Sequence, residues 1–141
     1  MNYGRTAVAA LVATLVYYMF GFFSEGWLFR GEFAAYASVY RPSDTMMRYM
    51  PMGMVCTFIG AFVVAMIYAR LCSGRNGLVE GARLGVLIGI FVACVFVGVN
   101  YVTLNIGGKL ALELAASAIV QWTLVGIVIG LIYRPSSAAA R

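Results

Sequence analysis

The amino-acid sequence predicts an all-α integral membrane protein, a bundle of four transmembrane helices in one domain. Hydrophobic residues make up 63% of the chain and charged residues 11%, whereas soluble domains are about half apolar and about a quarter charged. Four apolar runs are each long enough to cross a bilayer, which takes about 20 helical residues. We assign residues 1–134 to this domain and predict a disordered tail at 135–141.

The four spans are predicted at about residues 6–23, 51–69, 80–104 and 110–133. The first run resembles the core of a signal peptide, but it is long and no small-residue cleavage site follows it, so we expect a retained helix. Aromatic residues at helical spacing in the first connection predict a short helix lying on the membrane surface. Pro51 either kinks the second span or marks its start.

The basic residues predict the orientation of the chain. With both termini on one side, that side holds six arginines: Arg5, Arg70, Arg75, Arg83, Arg134 and Arg141. The other side holds four basic residues and most of the acidic ones. Because basic residues favour the cytoplasmic side, we predict cytoplasmic N- and C-termini in a bacterial inner (plasma) membrane. The net charge of +5 does not indicate nucleic-acid binding, since the basic residues form no stripe on one face.

The composition argues against several kinds of chemistry. The chain has no histidine, the commonest metal ligand and general base. Its three cysteines, Cys56, Cys72 and Cys94, lack the spacing of a disulfide framework or a zinc site, and we interpret them as small buried residues. No nucleophile stands in a motif with a base. We therefore predict no metal, no cofactor and no enzymatic activity.

Two rows of glycines predict where the helices pack closely. Gly81, Gly85 and Gly89 repeat every four residues in the third span, and Gly126 and Gly130 do the same in the fourth. Small residues at this spacing let membrane helices approach one another. Both rows fall in the predicted cytoplasmic half, so we expect the bundle to be tight there.

Six polar residues in the outer half are candidate ligand-binding residues: Tyr18, Glu25, Asn100, Glu113, Ser117 and Gln121. At 100° per residue, the three in the fourth span form one stripe along the helix. The face of the first helix that carries Thr14, Tyr18, Gly21 and Glu25 is the expected partner of this stripe. Polar groups are costly in lipid, so both faces should point into the bundle.

These residues support two interpretations. In the first, Asn100, Ser117 and Gln121 only join helices by hydrogen bonds, and Glu113 pairs with Lys109 one turn earlier. In the second, Glu25 and Glu113 are paired acids in a polar pocket open to the outside. The pocket predicts a protein that binds or moves a small cation or an amphipathic molecule. The alternative is a non-catalytic accessory or scaffolding subunit of a larger membrane complex, or a homo-oligomer.

Three segments of the chain resemble uncharacterised bacterial four-helix inner-membrane proteins, which form families of unknown function. They are Tyr17-Tyr-Met-Phe-Gly-Phe-Phe-Ser-Glu-Gly-Trp27, Gly77-Leu-Val-Glu-Gly-Ala-Arg-Leu-Gly85 and Gly126-Ile-Val-Ile-Gly130. The resemblance implies a four-helix inner-membrane protein and transfers no activity.

Overall fold

The computed structural model describes residues 2–71, 73 and 76–133, and every regular element within them is helical. Four of the helical segments are long and apolar enough to cross a membrane: Tyr3–Leu28, Ser43–Leu71, Gly77–Thr103 and Gly108–Ile132. The predicted all-α fold with four spans is therefore confirmed. The predicted tail at 135–141, together with Cys72, Arg75 and Arg134, lies outside the described residues.

Six α-helices and two π-helical segments make up the described chain. They are α1 (Tyr3–Phe23), π1 (Ser24–Leu28), α2 (Arg30–Ala35), α3 (Ser43–Leu71), α4 (Gly77–Val92), π2 (Ala93–Gly98), α5 (Val99–Thr103) and α6 (Gly108–Ile132). The first span is α1 with π1, and the third span is α4, π2 and α5 together.

The second span is longer than the sequence predicts. Its helix, α3, begins at Ser43, so Pro51 lies inside the helix and does not mark its start. The residues before Pro51 are already helical, since the carbonyl of Pro42 accepts the N–H of Met46 at 2.8 Å. Proline costs the helix one backbone hydrogen bond, and α3 continues through it.

The four spans form a bundle in which the fourth span is central. Helix α6 packs most extensively on α4 and also on α1, whereas α3 packs mainly on α1. We call the end of the bundle with π1, α2 and the turn at residues 104–107 the loop end. The opposite end, where Tyr3 and Tyr133 lie, is the terminal end.

Small side chains bring α1 and α3 together near the terminal end. Ala9, Ala10 and Ala13 of α1 are buried, as are Ala61 and Ala65 of α3. Alanine at helical spacing allows close approach where no water drives the association. These alanines therefore join α1 and α3 into one core with α6.

Two tyrosines close the same core at the terminal end. Tyr68 and Tyr133 are both buried, and their ring centroids lie 6.3 Å apart in an edge-to-face arrangement. Offset or edge-to-face geometry is the favourable one for aromatic pairs. The pair connects the ends of α3 and the fourth span.

The two glycine rows of the sequence face each other across the α4–α6 contact. A Cβ atom on Gly81 would meet the backbone of Gly126, and one on Gly126 would meet the backbone of Gly81 and Gly85. Further along, a Cβ on Gly89 would lie 2.7 Å from the Cα of Ile119. The backbones of these helices are thus in direct contact, with no room for a side chain between them.

Much of the bundle surface is apolar, as expected for a protein in lipid. On the third span, Phe91 is 62% exposed and Val102 is 83% exposed. Cys56 and Cys94 are free and exposed, so the prediction that they are buried is wrong. A thiol behaves as a small apolar group, so lipid is as suitable an environment for it as the core.

Candidate ligand-binding cavity at the loop end

A cavity of about 300 Å³ lies at the loop end, between the first, third and fourth spans. Three of the predicted site residues line it: Glu25 from π1, Asn100 from α5 and Gln121 from α6. Most of its remaining wall is apolar or aromatic. A mainly apolar cavity with a few convergent polar groups is typical of small-molecule sites.

Aromatic rings form a large part of the cavity wall. Tyr17 of α1 and Trp122 of α6 line it with their ring centroids 5.8 Å apart. Phe33 and Tyr40, from the connection between the first two spans, form a second pair at 5.1 Å. Phe96 of π2 is the fifth ring.

These five rings were not among the site residues predicted from the sequence. The aromatic residues of the first connection stand at helical spacing, and this spacing predicted a helix on the membrane surface. The structure instead folds α2 and the residues after it over the loop end, so that Phe33 and Tyr40 face the cavity. The helical spacing of the aromatic residues was the signal for these rings that the sequence offered.

Both π-helical segments contribute to this cavity. Segment π1 carries Glu25, and π2 carries Phe96 and Val97. In π1 the N–H of Phe29 donates to the carbonyl of Ser24, five residues earlier, at 2.8 Å. A π-helical turn displaces the following side chains from the regular helical face, and such turns are frequent at functional sites.

The local sequence explains where the regular helix gives way. The hydroxyl of Ser24 donates to the carbonyl of Phe20 at 3.0 Å, and such side-chain bonds compete with the regular backbone pattern. Each π segment also contains one glycine, Gly26 in π1 and Gly98 in π2. Glycine is a weak helix former, so these segments tolerate a widened turn.

Two polar residues of the fourth span bind the first span directly. Gln121 donates from Nε2 to the carbonyl of Tyr17 at 2.9 Å, and Ser117 donates to the hydroxyl of Ser24 at 3.2 Å. Gly21 makes room for this contact, since a Cβ there would lie 3.0 Å from Gln121 Nε2. The stripe of the fourth span therefore does meet the first helix.

The contact overlaps the predicted face only in part: Gly21 of that face lies against Gln121, but the hydrogen-bond partners are the neighbouring residues Tyr17 and Ser24. Thr14 donates to the carbonyl of Ala10 in its own helix at 2.8 Å. The hydroxyl of Tyr18 lies 3.3 Å from that of Thr57, so Tyr18 faces α3 instead of α6. Neither Tyr18 nor Ser117 lines the cavity, and both serve as helix contacts.

Glu113 also lies outside the cavity. Its Oε1 is 3.8 Å from the ammonium of Lys109, which in turn donates to Glu32 of α2. Its Oε2 is buried and has no hydrogen-bond partner among the described residues. Glu113 is eight residues before Gln121, a rotation of about 80° around the helix, which turns it away from the cavity.

Glu25 and Glu113 therefore do not share the cavity, and the predicted pair of acids is wrong in that respect. Glu25 is the one carboxylate among the described residues that line it. Burial raises the pKa of the Tyr40 hydroxyl, and the negative charge of Glu25 raises it further. Tyr40 thus stays protonated near neutral pH, close to the Glu25 carboxylate.

Within the described residues there is no group of three or more His, Cys, Asp or Glu side chains that could hold a metal ion. A scan against protein-family models, a search of curated proteins and a search of solved structures each gave no match. The function has to be inferred from the cavity itself.

Proposed function

We propose that this membrane protein binds a small amphipathic or cationic molecule in the loop-end cavity and does not act on it chemically. The observation that carries the proposal is the convergence of Glu25, Asn100 and Gln121 in a cavity whose other walls are largely apolar and aromatic. A ligand with a polar part and an apolar part matches this division.

The lining of the cavity supports binding without catalysis. Its described residues include one carboxylate, two amides and two tyrosines, but no Ser, Thr, Cys or Lys. Covalent catalysis commonly uses one of these four side chains as a nucleophile, activated by an adjacent base. The described lining offers no such pair. Asn100 and Gln121 suit the recognition of a polar group by hydrogen bonds.

We place the protein in a bacterial inner membrane with both termini in the cytoplasm. Arg5, Arg70 and Arg83 lie at or near the terminal end, which supports a cytoplasmic position for that end. The connections at the loop end hold Arg30, Arg41, Arg48 and Lys109, four basic residues against the six arginines on the other side. The cavity would then lie on the outer, periplasmic side of the membrane.

The alternative function is that of a non-catalytic accessory subunit. It would be favoured by a glycine face with no partner inside the bundle, available to another protein. Gly126 and Gly130 instead pack on Gly81 and Gly77 within the same chain. The accessory role stays a prediction, and binding in the cavity is the function that the geometry supports better.

The test of binding is a variant that fills the cavity. Ala118 of α6 is 8% exposed and lines the cavity, so Ala118→Leu should occupy part of the ligand's space. Ala116 is exposed on the same helix, and Ala116→Leu is the matched control. The wild type and the two variants are purified from a bacterial membrane in mild detergent. Their melting temperatures are compared to verify that each is folded.

Small molecules extracted from each protein are then measured by mass spectrometry. We expect one small molecule to copurify with the wild type and with the control variant Ala116→Leu. The amount recovered from Ala118→Leu should be at least fivefold lower. Equal recovery from all three proteins, or no molecule in any of them, would contradict the proposal.

A further inference from the structure

We infer that the loop-end cavity takes a small organic ammonium ion, that is, a positively charged nitrogen carrying apolar substituents. This inference rests on the proposed binding function and names the chemical class of the ligand. Three properties of the cavity lead to it: its charge, its aromatic walls and its size.

The charge of the cavity favours a cation. Glu25 is the only charged residue among the described residues that line it, and no Lys or Arg is among them. An anionic ligand would face this carboxylate without a compensating charge, which is costly in a site with little water. Glu25 itself is exposed, so a cation can reach it from outside the bundle.

The aromatic walls favour an organic cation. A cation attracted to an aromatic face sits within about 6 Å of the ring centroid, and quaternary ammonium ions are recognised in this way. Tyr17 and Trp122 supply rings from two spans, and Phe33 and Tyr40 supply rings from the connection over the cavity. A positively charged nitrogen in the cavity would have these aromatic residues and Glu25 as neighbours in its wall.

The same lining argues against an inorganic ion. Calcium takes about six to eight oxygen ligands, and magnesium needs a near-octahedral oxygen shell. The described lining offers one carboxylate and two amide oxygens besides tyrosine hydroxyls. Apolar side chains such as Leu104 and Ile106 cannot replace a hydration shell, whereas they are suitable contacts for alkyl or aryl groups.

The volume limits the size of the ligand. About 300 Å³ is at the lower end of the range of about 300–1,000 Å³ for small-molecule pockets. Benzyltrimethylammonium, with one ring and a trimethylated nitrogen, is of suitable size. Neopentylbenzene has the same shape with carbon in place of nitrogen and is uncharged, so the pair isolates the contribution of the charge.

The chain provides its own reporter for a titration with these two compounds. It contains two tryptophans, and Trp122 lines the cavity while Trp27 is 69% exposed. In a Trp27→Phe background, fluorescence reports on Trp122 alone. Each compound is added to the full-length protein in the same detergent, and the dissociation constants are compared.

We expect benzyltrimethylammonium to bind at least tenfold more tightly than neopentylbenzene. Glu25→Gln should weaken binding of the ammonium about tenfold and leave the neutral compound unchanged. Glu113→Gln removes the same charge from outside the cavity, and it should change ammonium binding less than twofold. Phe33→Leu, in the connection and outside the spans, should weaken ammonium binding selectively even if Glu25→Gln does not fold.

Three results would overturn the inference. Equal binding of the two compounds would show that charge is not recognised, and the proposed binding of an amphipathic molecule would survive. Equal effects of Glu25→Gln and Glu113→Gln would show that the ammonium responds only to the general charge of the surface. Failure of both compounds to bind would exclude this ligand class, and the Ala118→Leu comparison would then judge the binding function separately.

Discussion

The contact between the two glycine rows yields the most direct stability prediction. An added Cβ at Gly89 would lie 2.7 Å from the Cα of Ile119 and 3.0 Å from its carbonyl oxygen. Both atoms belong to the backbone of α6, so no side chain can move aside to relieve the clash. Gly89→Ala must therefore force α4 and α6 apart, and overpacking of this kind costs about 1–3 kcal/mol.

Gly98 provides a matched control in the same span. A Cβ there would have Ala93 O as its nearest neighbour, at 3.7 Å, which is ordinary van der Waals contact. Gly98→Ala should thus be neutral or stabilising by up to about 1 kcal/mol, because alanine is the better helix former. Both substitutions bring the same gain in helix propensity, so Gly89→Ala should be less stable than Gly98→Ala by the cost of overpacking alone, roughly 1–3 kcal/mol.

The assay is unfolding of each protein in mixed detergent micelles, followed by near-ultraviolet circular dichroism. Gly85→Leu and Gly89→Leu extend the series, and both should unfold more easily still, since their bulk meets the same backbone. If Gly89→Ala and Gly98→Ala unfold at the same denaturant concentration, then α4 and α6 are not in backbone contact, and Gly89 faces lipid.

Three further predictions concern other parts of the bundle. A C-terminal reporter fusion should be cytoplasmic and a reporter in the 30–48 connection periplasmic; the reverse result would invert the orientation. Gln121→Leu removes a hydrogen bond between spans and should destabilise by about 0.6–2 kcal/mol in detergent unfolding, whereas Thr123→Val, whose hydroxyl binds its own helix, should have little effect. Lys109→Met should increase hydrogen exchange in α2 but not in α4, because the ion pair of Lys109 with Glu32 connects α2 to the fourth span. Unchanged exchange in α2 would show that this ion pair does not stabilise α2.

The spans and the packing of the glycines were accessible from the sequence because each depends on one property of consecutive residues. Apolar length determines whether a helix crosses the membrane, and four-residue spacing of glycines creates a groove on one face whatever lies opposite. The sequence did not predict that the two rows pack on each other, although Gly126 and Gly130 repeat the spacing of Gly81 and Gly85.

The partners of the polar stripe were not accessible in the same way. The acceptor for Gln121 is the backbone carbonyl of Tyr17, and every residue has such a carbonyl, so the sequence does not mark it. Tyr18 was the polar side chain expected opposite the stripe, but its hydroxyl lies against Thr57 of α3. The π-helical segments were missed for a related reason, because average hydropathy does not depend on the hydrogen-bond pattern within a helix.

One hairpin explains both the tight and the open ends of the bundle. From Gly77 to Gly89, α4 lies against α6 with backbone in contact with backbone. The row of small residues would continue at Ala93, but π2 begins there and the regular repeat ends. Beyond this point the third span presents Phe96 and Val97 to the cavity. The glycine contact holds the two helices together at the terminal end. The change of helical geometry at Ala93 leaves space between them at the loop end. Segment π1 and the first connection enclose that space as the cavity.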